Sequence, residues 1–438
     1  METLLGSALI VVGLLALYLG LGVWIFVALS LVGISSLLLI EGMPLEQIAG
    51  IIKGNFWRIG SSWELAAIPL FVLMGELMFR STVSERMFRG LTPWVSAIPG
   101  RLLHTNILGC TLFAAVCGSS SATTVTIGKI TIKSLLERGY SDRLAIGSLA
   151  GAGTLGLMIP PSIAMIIYGI LADQSIARLF AAGVLPGLMI ASMYSLYIMA
   201  VCLVRPTMTP KAEQRFSLAD RLKGLLDLIP IMALIVMVLG GIYTGIATPT
   251  EAAALGVGGT LVIIVALRQL KWRMIVDSLM GSVRITCMCI TIVAAASFLS
   301  SAMGFLQVPA QIAAGIAMLD LGPYGLMVLL FVFYLILGCV LEGISMLVMT
   351  LPITLPLVVA SGFDPIWFGI FLVAVIEIAQ ITPPVGFNLF VLQATTGRSI
   401  AWIAIAAFPF FCILTLASAI LVVFPEIALW FPNAIYSR

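Results

Sequence analysis

Residues 153–162 read Gly-Thr-Leu-Gly-Leu-Met-Ile-Pro-Pro-Ser, and residues 376–385 read Ile-Glu-Ile-Ala-Gln-Ile-Thr-Pro-Pro-Val. Each places a double proline inside an apolar run. Proline offers no N–H and displaces the carbonyl four residues earlier. The carbonyls of Gly156 and Leu157, and those of Ala379 and Gln380, are therefore expected to be freed. The two breaks lie 223 positions apart, and the same shift sets Pro186 on Pro409, Gly22 on Gly245 and Gly33 on Gly256. It also sets the apolar run Ile59–Phe79 on Ser282–Ala302 and the Ser-rich run Gly118–Thr123 on Leu341–Met346. One matched double proline is weak evidence, but five features at one offset mark an internal repeat.

The solvent for this repeat is lipid. Of 438 residues, 61% are hydrophobic and 9% charged, against about 25% charged in soluble domains. Leu4–Leu19, Val23–Ile40, Leu179–Val204 and Ile400–Phe424 each approach the ~20 residues needed to cross ~30 Å of hydrocarbon. The N-terminus has neither a basic region nor a small-residue cleavage site, so Leu4–Leu19 is expected to be a retained span.

Several function classes fall away. No Lys/Arg block interleaved with aromatics points to nucleic acid. The single His104, near a membrane boundary, excludes His-based metal clusters and Ser–His triads. No phosphate loop is present, so an ATPase or other enzyme is not expected. Cys110, Cys117, Cys202, Cys287, Cys289, Cys339 and Cys412 lack C-x-x-C spacing. They are expected to be reduced, buried packing residues, with Cys287 and Cys289 on opposite helix faces.

The expected fold is an all-α polytopic membrane protein of two inverted repeats, residues 1–204 and 227–438, joined by a cytoplasmic connector at 205–226. Each half reads as five crossings plus a re-entrant hairpin. The hairpins span about 103–132 and 324–356, and the proline-broken helices 144–172 and 366–393. An odd number of crossings turns the second half upside down. Charge supports this topology. With the connector cytoplasmic, 18 of the 22 Lys/Arg fall on that side, leaving Lys53, Arg58, Arg178 and Arg438, as the positive-inside rule requires. Both termini are then periplasmic.

Non-helical backbone survives in a membrane only where it meets protein, water or an ion, and paired breaks in inverted halves point to a transporter's binding site. The alternative is a plain proline kink. The tips Gly118-Ser-Ser-Ser121 and Glu342-Gly-Ile-Ser345 would offer oxygens to a hard cation such as Na⁺ and helix-start N–H groups to a carboxylate. Thr124 and Thr126 serve equally well as packing residues. Intramembrane carboxylates are costly and usually functional. Among them, Glu251 suits a helix cap, Glu64 and Glu76 could pair with an Arg or a neighbouring subunit, and Glu342 and Glu377 could tune a cation or carry a proton.

The runs Cys117-Gly-Ser-Ser-Ser-Ala-Thr123, Gly153–Ser162, Thr248-Pro-Thr-Glu-Ala252 and Thr382-Pro-Pro-Val-Gly-Phe-Asn-Leu389 resemble the large membrane subunit of a tripartite ATP-independent periplasmic (TRAP) transporter, over nearly the whole chain. The resemblance implies Na⁺ as coupling ion, no organic cofactor, an elevator mechanism and uptake of an organic anion, a carboxylate or sugar acid. It also implies a separate small four-helix subunit and a periplasmic binding protein, all in the inner membrane or its periplasm. One cation site would use Ser119, Ser121, Gly156, Ile159 and Ser162. The other would use Gly338, Gly343, Ser345, Ala379, Thr382 and Val385, with Ala379 standing where a glycine is frequent in relatives. Substrate would meet Ser119, Ser120, Ser121, Thr123, Gly343, Ser345 and Asn388. The rivals are a stand-alone Na⁺- or H⁺-coupled carboxylate symporter and, further off, a channel or scaffold subunit.

Overall fold

A computed structural model describes residues 2–210, 216–317, 322–339, 341–384 and 386–436, with no side-chain description at 2–5, 8 and 313–317. Val385, Lys211, Arg215 and Arg438 lie outside the described residues. The first half holds α1 Glu2–Gly20, α2 Ile25–Leu39, α3 Leu45–Gly60, α4 Ala67–Arg80, α5 Val83–Val95, α6 His104–Cys117, α7 Ser120–Glu137, α8 Asp142–Gly153, α9 Leu155–Met158, α10 Ile163–Leu171 and α11 Ile176–Val204. The second holds α12 Leu218–Tyr243, α13 Pro249–Ala266, α14 Trp272–Phe305, α15 Val308–Ala317, α16 Pro323–Gly338, α17 Gly343–Ala360, α18 Pro365–Gln380, α19 Phe387–Thr396, α20 Ile400–Val423 and α21 Glu426–Tyr436. No strand occurs among the described residues.

The helices keep the repeat. Shifted by 223, α7 lands end to end on α17, and α8–α9 lands on α18 to within a residue. α10 falls on α19 and α11 on α20 with starts that agree to within a residue, while their ends differ by two and four residues. Seven helical stretches among the described residues are long and apolar enough to cross a membrane, and the α3–α4 pair, bent by 57°, makes an eighth. Of the ten expected crossings, α1, α2 and the α18–α19 pair involve shorter apolar helices, as do the hairpin arms α6 and α16. The protein is an all-α, multi-pass membrane protein.

Four elements escape a hydropathy reading. α3 carries Glu46, Lys53 and Arg58 and buries Asn55 with Ile48 and Ile59, so it is amphipathic rather than uniformly apolar. α5, α15 and α21 are likewise additional helices. The repeat also diverges here. The α3–α4 bend falls at Gly60-Ser-Ser-Trp-Glu64, whose counterparts are Val283-Arg-Ile-Thr-Cys287. Those residues continue a helix, and α14 accordingly runs unbroken for 34 residues.

Small residues set the closest helix approaches, as expected where lipid gives no hydrophobic drive between helices. A methyl added at Gly147 would meet the Ala406 carbonyl, and one at Gly151 would lie 2.6 Å from the Phe410 ring, which locks α8 against α20. The broken span α8–α10 is almost wholly buried inside the protein, whereas α12 turns Leu222, Leu226 and Val236 outward. The buried Tyr334 hydroxyl is partnered: its Oη lies 2.8 Å from Thr350 and 2.9 Å from Thr354. The expectation of uniformly buried cysteines does not hold. Cys110, Cys117, Cys202 and Cys289 are buried, Cys339 is half-buried, and Cys287 and Cys412 are exposed. The opposite facing of Cys287 and Cys289 is as expected.

Candidate functional site

Each hairpin tip lies against the break of its own half. α6 ends on Gly118 in the left-handed conformation (φ +63°), which glycine adopts without penalty. A side chain there would sit 2.7 Å from the Pro161 carbonyl, so the turn could not be made otherwise. The chain then enters α7, with Ser119 Oγ accepting the Ala122 N–H at 3.5 Å. The Gly118 carbonyl accepts the Ile163 N–H at 3.4 Å, which ties tip to break. Gly156 faces Ser120 backbone to backbone: a methyl on Gly156 would lie 2.6 Å from the Ser120 nitrogen and 2.8 Å from the Ser119 carbonyl carbon. Beyond the cis Pro160-Pro161 bond, Ser162 caps α10, its Oγ accepting the Met165 N–H at 3.4 Å.

The second half repeats this plan with different chemistry. A methyl on Gly338 would collide with Ala379 Cβ, and one on Gly343 would lie 2.5 Å from Ile376 and 3.3 Å from Gln380 Nε2. Cys339 Sγ donates to the Pro383 carbonyl at 3.4 Å. Position 342 is the repeat counterpart of Ser119, yet the cap there is a carboxylate. Glu342 Oε2 accepts the N–H groups of Ile344 at 3.1 Å and Ser345 at 3.3 Å. In the second break, also at a cis Pro383-Pro384 bond, Thr382 Oγ1 donates to the Ile378 carbonyl at 2.7 Å and the Gly386 N–H donates to the Thr382 carbonyl at 3.0 Å.

The freed carbonyls match expectation in part. Ile159 closes the last helical bond onto Leu155 at 2.9 Å, so Gly156 and Leu157 keep carbonyls facing prolines with no N–H to give. Ala379 differs. Its carbonyl accepts the Thr382 N–H at 3.1 Å, because the chain tightens into a short i+3 turn before the prolines. The second lone pair of that oxygen stays available. Gln380 keeps the expected freedom from a helical donor. The breaks also differ in access: Pro160 and Pro161 are buried, whereas Pro383 and Pro384 are exposed and Thr382 is half-buried.

Both tips open on one cavity of about 970 Å³. Ser119, Ser120, Ser121 and Ser345 line it, with Glu342 and Gln380, and Val72, Glu76, Cys287 and Thr291 of α4 and α14 form its other wall. Of the expected substrate residues, Thr123, Gly343 and Asn388 do not line it, nor do the expected ion ligands Gly156, Ile159, Ser162, Gly338, Ala379 and Thr382. These lie behind the tips, where carbonyls rather than side chains face the packing. Thr123 and Asn388 are fully buried, and Thr123 Oγ1 and both amide atoms of Asn388 have no hydrogen-bond partner among the described residues. Buried polar atoms are nearly always satisfied, which sets these two side chains apart from most of the core.

The remaining carboxylates sort by contact. Glu251 completes a capping box, its Oε2 accepting the Thr248 N–H at 2.8 Å, as the sequence suggests. Glu76 pairs with Arg80 at 3.1 Å, and Glu64 accepts the Ser62 hydroxyl at 2.7 Å. Glu377 accepts the Ser120 hydroxyl from the other half of the chain. No local pattern could have signalled that last contact, since its partners are 257 residues apart.

Similarity to known proteins extends over nearly the whole chain. The C4-dicarboxylate TRAP transporter large permease of Pseudomonas aeruginosa is 36% identical over 409 residues, 93% of this chain and 94% of that one. The ectoine/5-hydroxyectoine TRAP transporter large permease of Ruegeria pomeroyi is 32% identical over 91% of this chain and 90% of that one. The crystal structure of the YdaH transporter of Alcanivorax borkumensis aligns with a TM-score of 0.60 over 90% of this chain and 91% of that one. At 13% identity, that likeness concerns the fold alone. Residues 12–427 match the family model "Tripartite ATP-independent periplasmic transporter, DctM component", and with both tips and both breaks inside that match, the chain belongs to the large permeases of TRAP transporters.

Proposed function

We propose that this permease takes up an organic anion, a carboxylate or sugar acid, in symport with Na⁺. The observation that carries the proposal is the meeting of both hairpin tips, each backed by its own proline break, on one cavity of about 970 Å³. Hydroxyl and carbonyl oxygens suit a hard cation. Ser119, Ser121, Gly156, Ile159 and Ser162 would form one ion site. Gly338, Gly343, Ser345, Ala379, Thr382 and Val385 would form the other. The N–H groups at the start of α7 would receive the carboxylate, with Ser119, Ser120, Ser121 and Ser345 against the substrate and Thr123, Gly343 and Asn388 behind them.

The two halves would lie inverted in the inner membrane with both termini periplasmic, a periplasmic binding protein delivering the substrate. A separate four-helix subunit would brace the frame helices α1–α5 and α12–α15. The hairpins, broken helices, α11 and α20 would move together across the membrane as an elevator, since an inverted repeat offers two nearly equivalent arrangements of one site.

The test is uptake into vesicles holding the permease, its small subunit and its binding protein, with Na⁺ replaced by choline at fixed pH. Uptake is expected to vanish. Full uptake driven by a proton gradient alone would overturn the cation assignment.

A further inference from the structure

Glu377 is fully buried in the last turn of α18. Oε1 accepts the Ser120 hydroxyl, the Leu157 backbone N–H approaches the carboxylate, and Oε2 makes no hydrogen bond of normal geometry among the described residues. No described ion pair includes it; the titratable groups that act on it are a second carboxylate, Glu342, and Tyr194 of α11. The helices packed on α18 are α9, α10, α11, α16, α17, α19, α20 and α21. Their sequences contain one Lys or Arg, Arg178 at the start of α11, whose guanidinium donates to Asn433 Oδ1 at 3.1 Å. On α7, the first basic residue is Lys129, nine residues past Ser120 or roughly 13 Å along the helix, lying 5.0 Å over the Phe79 ring. A buried carboxylate with no cation is among the costliest arrangements a membrane protein can hold.

Ser120 is also the residue against which Gly156 packs. Glu377 therefore stands directly behind the tip and break of the first half, whose own ligand candidates are all neutral. We propose that Glu377 is the anionic member of the first cation site: it supplies the charge that balances a bound Na⁺, with its free oxygen turned to the ion and Ser120 holding the other. A residue of the second half thus completes the site of the first. Its repeat counterpart is Thr154, so the second site has no equivalent there and carries its carboxylate, Glu342, at the tip instead.

This site rests on the Na⁺ coupling proposed above. The permease complex, in choline buffer titrated with NaCl, is followed by thermal unfolding and by ²²Na⁺ binding for wild type, Glu377→Gln, Glu377→Asp and the control Glu251→Gln. Without Na⁺, Glu377→Gln is expected to melt no lower than wild type, because it removes an unbalanced charge. Its half-saturating Na⁺ should rise at least tenfold, Glu377→Asp should recover part of that loss, and Glu251→Gln should match wild type. A Glu377→Gln protein that melts lower or fails to fold without Na⁺, or that keeps wild-type Na⁺ dependence, overturns the assignment and leaves Glu377 as a structural partner of Ser120. A wild type with no Na⁺ response at all overturns the Na⁺ coupling itself.

Discussion

Gly156 rests its Cα against the Ser120 backbone so closely that a single added methyl would stand 2.6 Å from the Ser120 nitrogen. Neither side of this contact is a flexible side chain, so relief requires the tip and the break to separate. Gly156→Ala is expected to destabilise the permease by about 1–3 kcal/mol, the usual cost of overpacking, and to abolish uptake. Gly258→Ala, on α13 with nothing near its added methyl, should be neutral or slightly stabilising. Melting temperature and vesicle uptake read both variants, and equal behaviour would count against a tight tip–break joint.

Thr382 and Thr396 make the same local bond, each hydroxyl donating to the carbonyl four residues back at 2.7 Å. Only Thr382 stands in a break. Thr382→Ala should cost roughly 1 kcal/mol of ion binding, the net worth of one polar contact, and raise half-saturating Na⁺ several-fold. Thr396→Ala should leave it unchanged. Na⁺ activation curves of uptake decide the matter.

Glu342→Gln keeps an acceptor for the Ile344 and Ser345 N–H groups but removes a negative charge from the cavity wall. Uptake of a carboxylate substrate at saturating Na⁺ should show a lowered KM, and the Na⁺ requirement should become steeper to satisfy. Glu342→Ala should additionally cost about 1 kcal/mol for the lost cap. A raised KM in Glu342→Gln would mean that the carboxylate serves the substrate rather than opposing it.

Arg58 donates to Ser297 Oγ at 2.6 Å, and that hydroxyl donates to Asn55 Oδ1 at 2.9 Å, which ties the amphipathic α3 to α14. Asn55→Leu should destabilise the protein by about 1–3 kcal/mol through the stranded partners, without changing half-saturating Na⁺. A shifted Na⁺ dependence would remove α3 from the static frame.

If the tips move as an elevator, a cysteine at Ser120 in a background without native cysteines should change its reactivity toward impermeant thiol reagents when Na⁺ and substrate are added. One at Lys223, at the start of α12, should not change. Reactivity of the Ser120 position from one side only, in an active transporter, would refute the motion.

The double prolines and the Ser-rich tip made the hairpins and broken helices legible, because prolines and glycines act locally and leave their mark in the sequence. That is why α17 falls where α7 predicts it. The polar face of α3 hid that helix from a search for apolar runs, and the unbroken α14 departs from the repeat because Val283–Cys287 lost the breakers held at Gly60–Glu64. The freed carbonyls were legible only as a set of missing donors. The Ser120–Glu377 contact was not legible at all, since it depends on how two halves of the chain dock.

Ser119 and Glu342 hold the same station in the two repeats, the residue just before the returning arm of each hairpin. At one station the cap is a neutral hydroxyl and the nearest carboxylate, Glu377, stands behind the tip; at the other the cap is itself a carboxylate on the cavity wall. The fold is duplicated while its electric field is not, so the cavity has a pole. An anion entering it is turned one way round before any shape is compared, and a molecule with a charge at each end meets one welcoming wall and one reluctant one. Drift at a single station after duplication suffices to give a twofold scaffold a sense of direction.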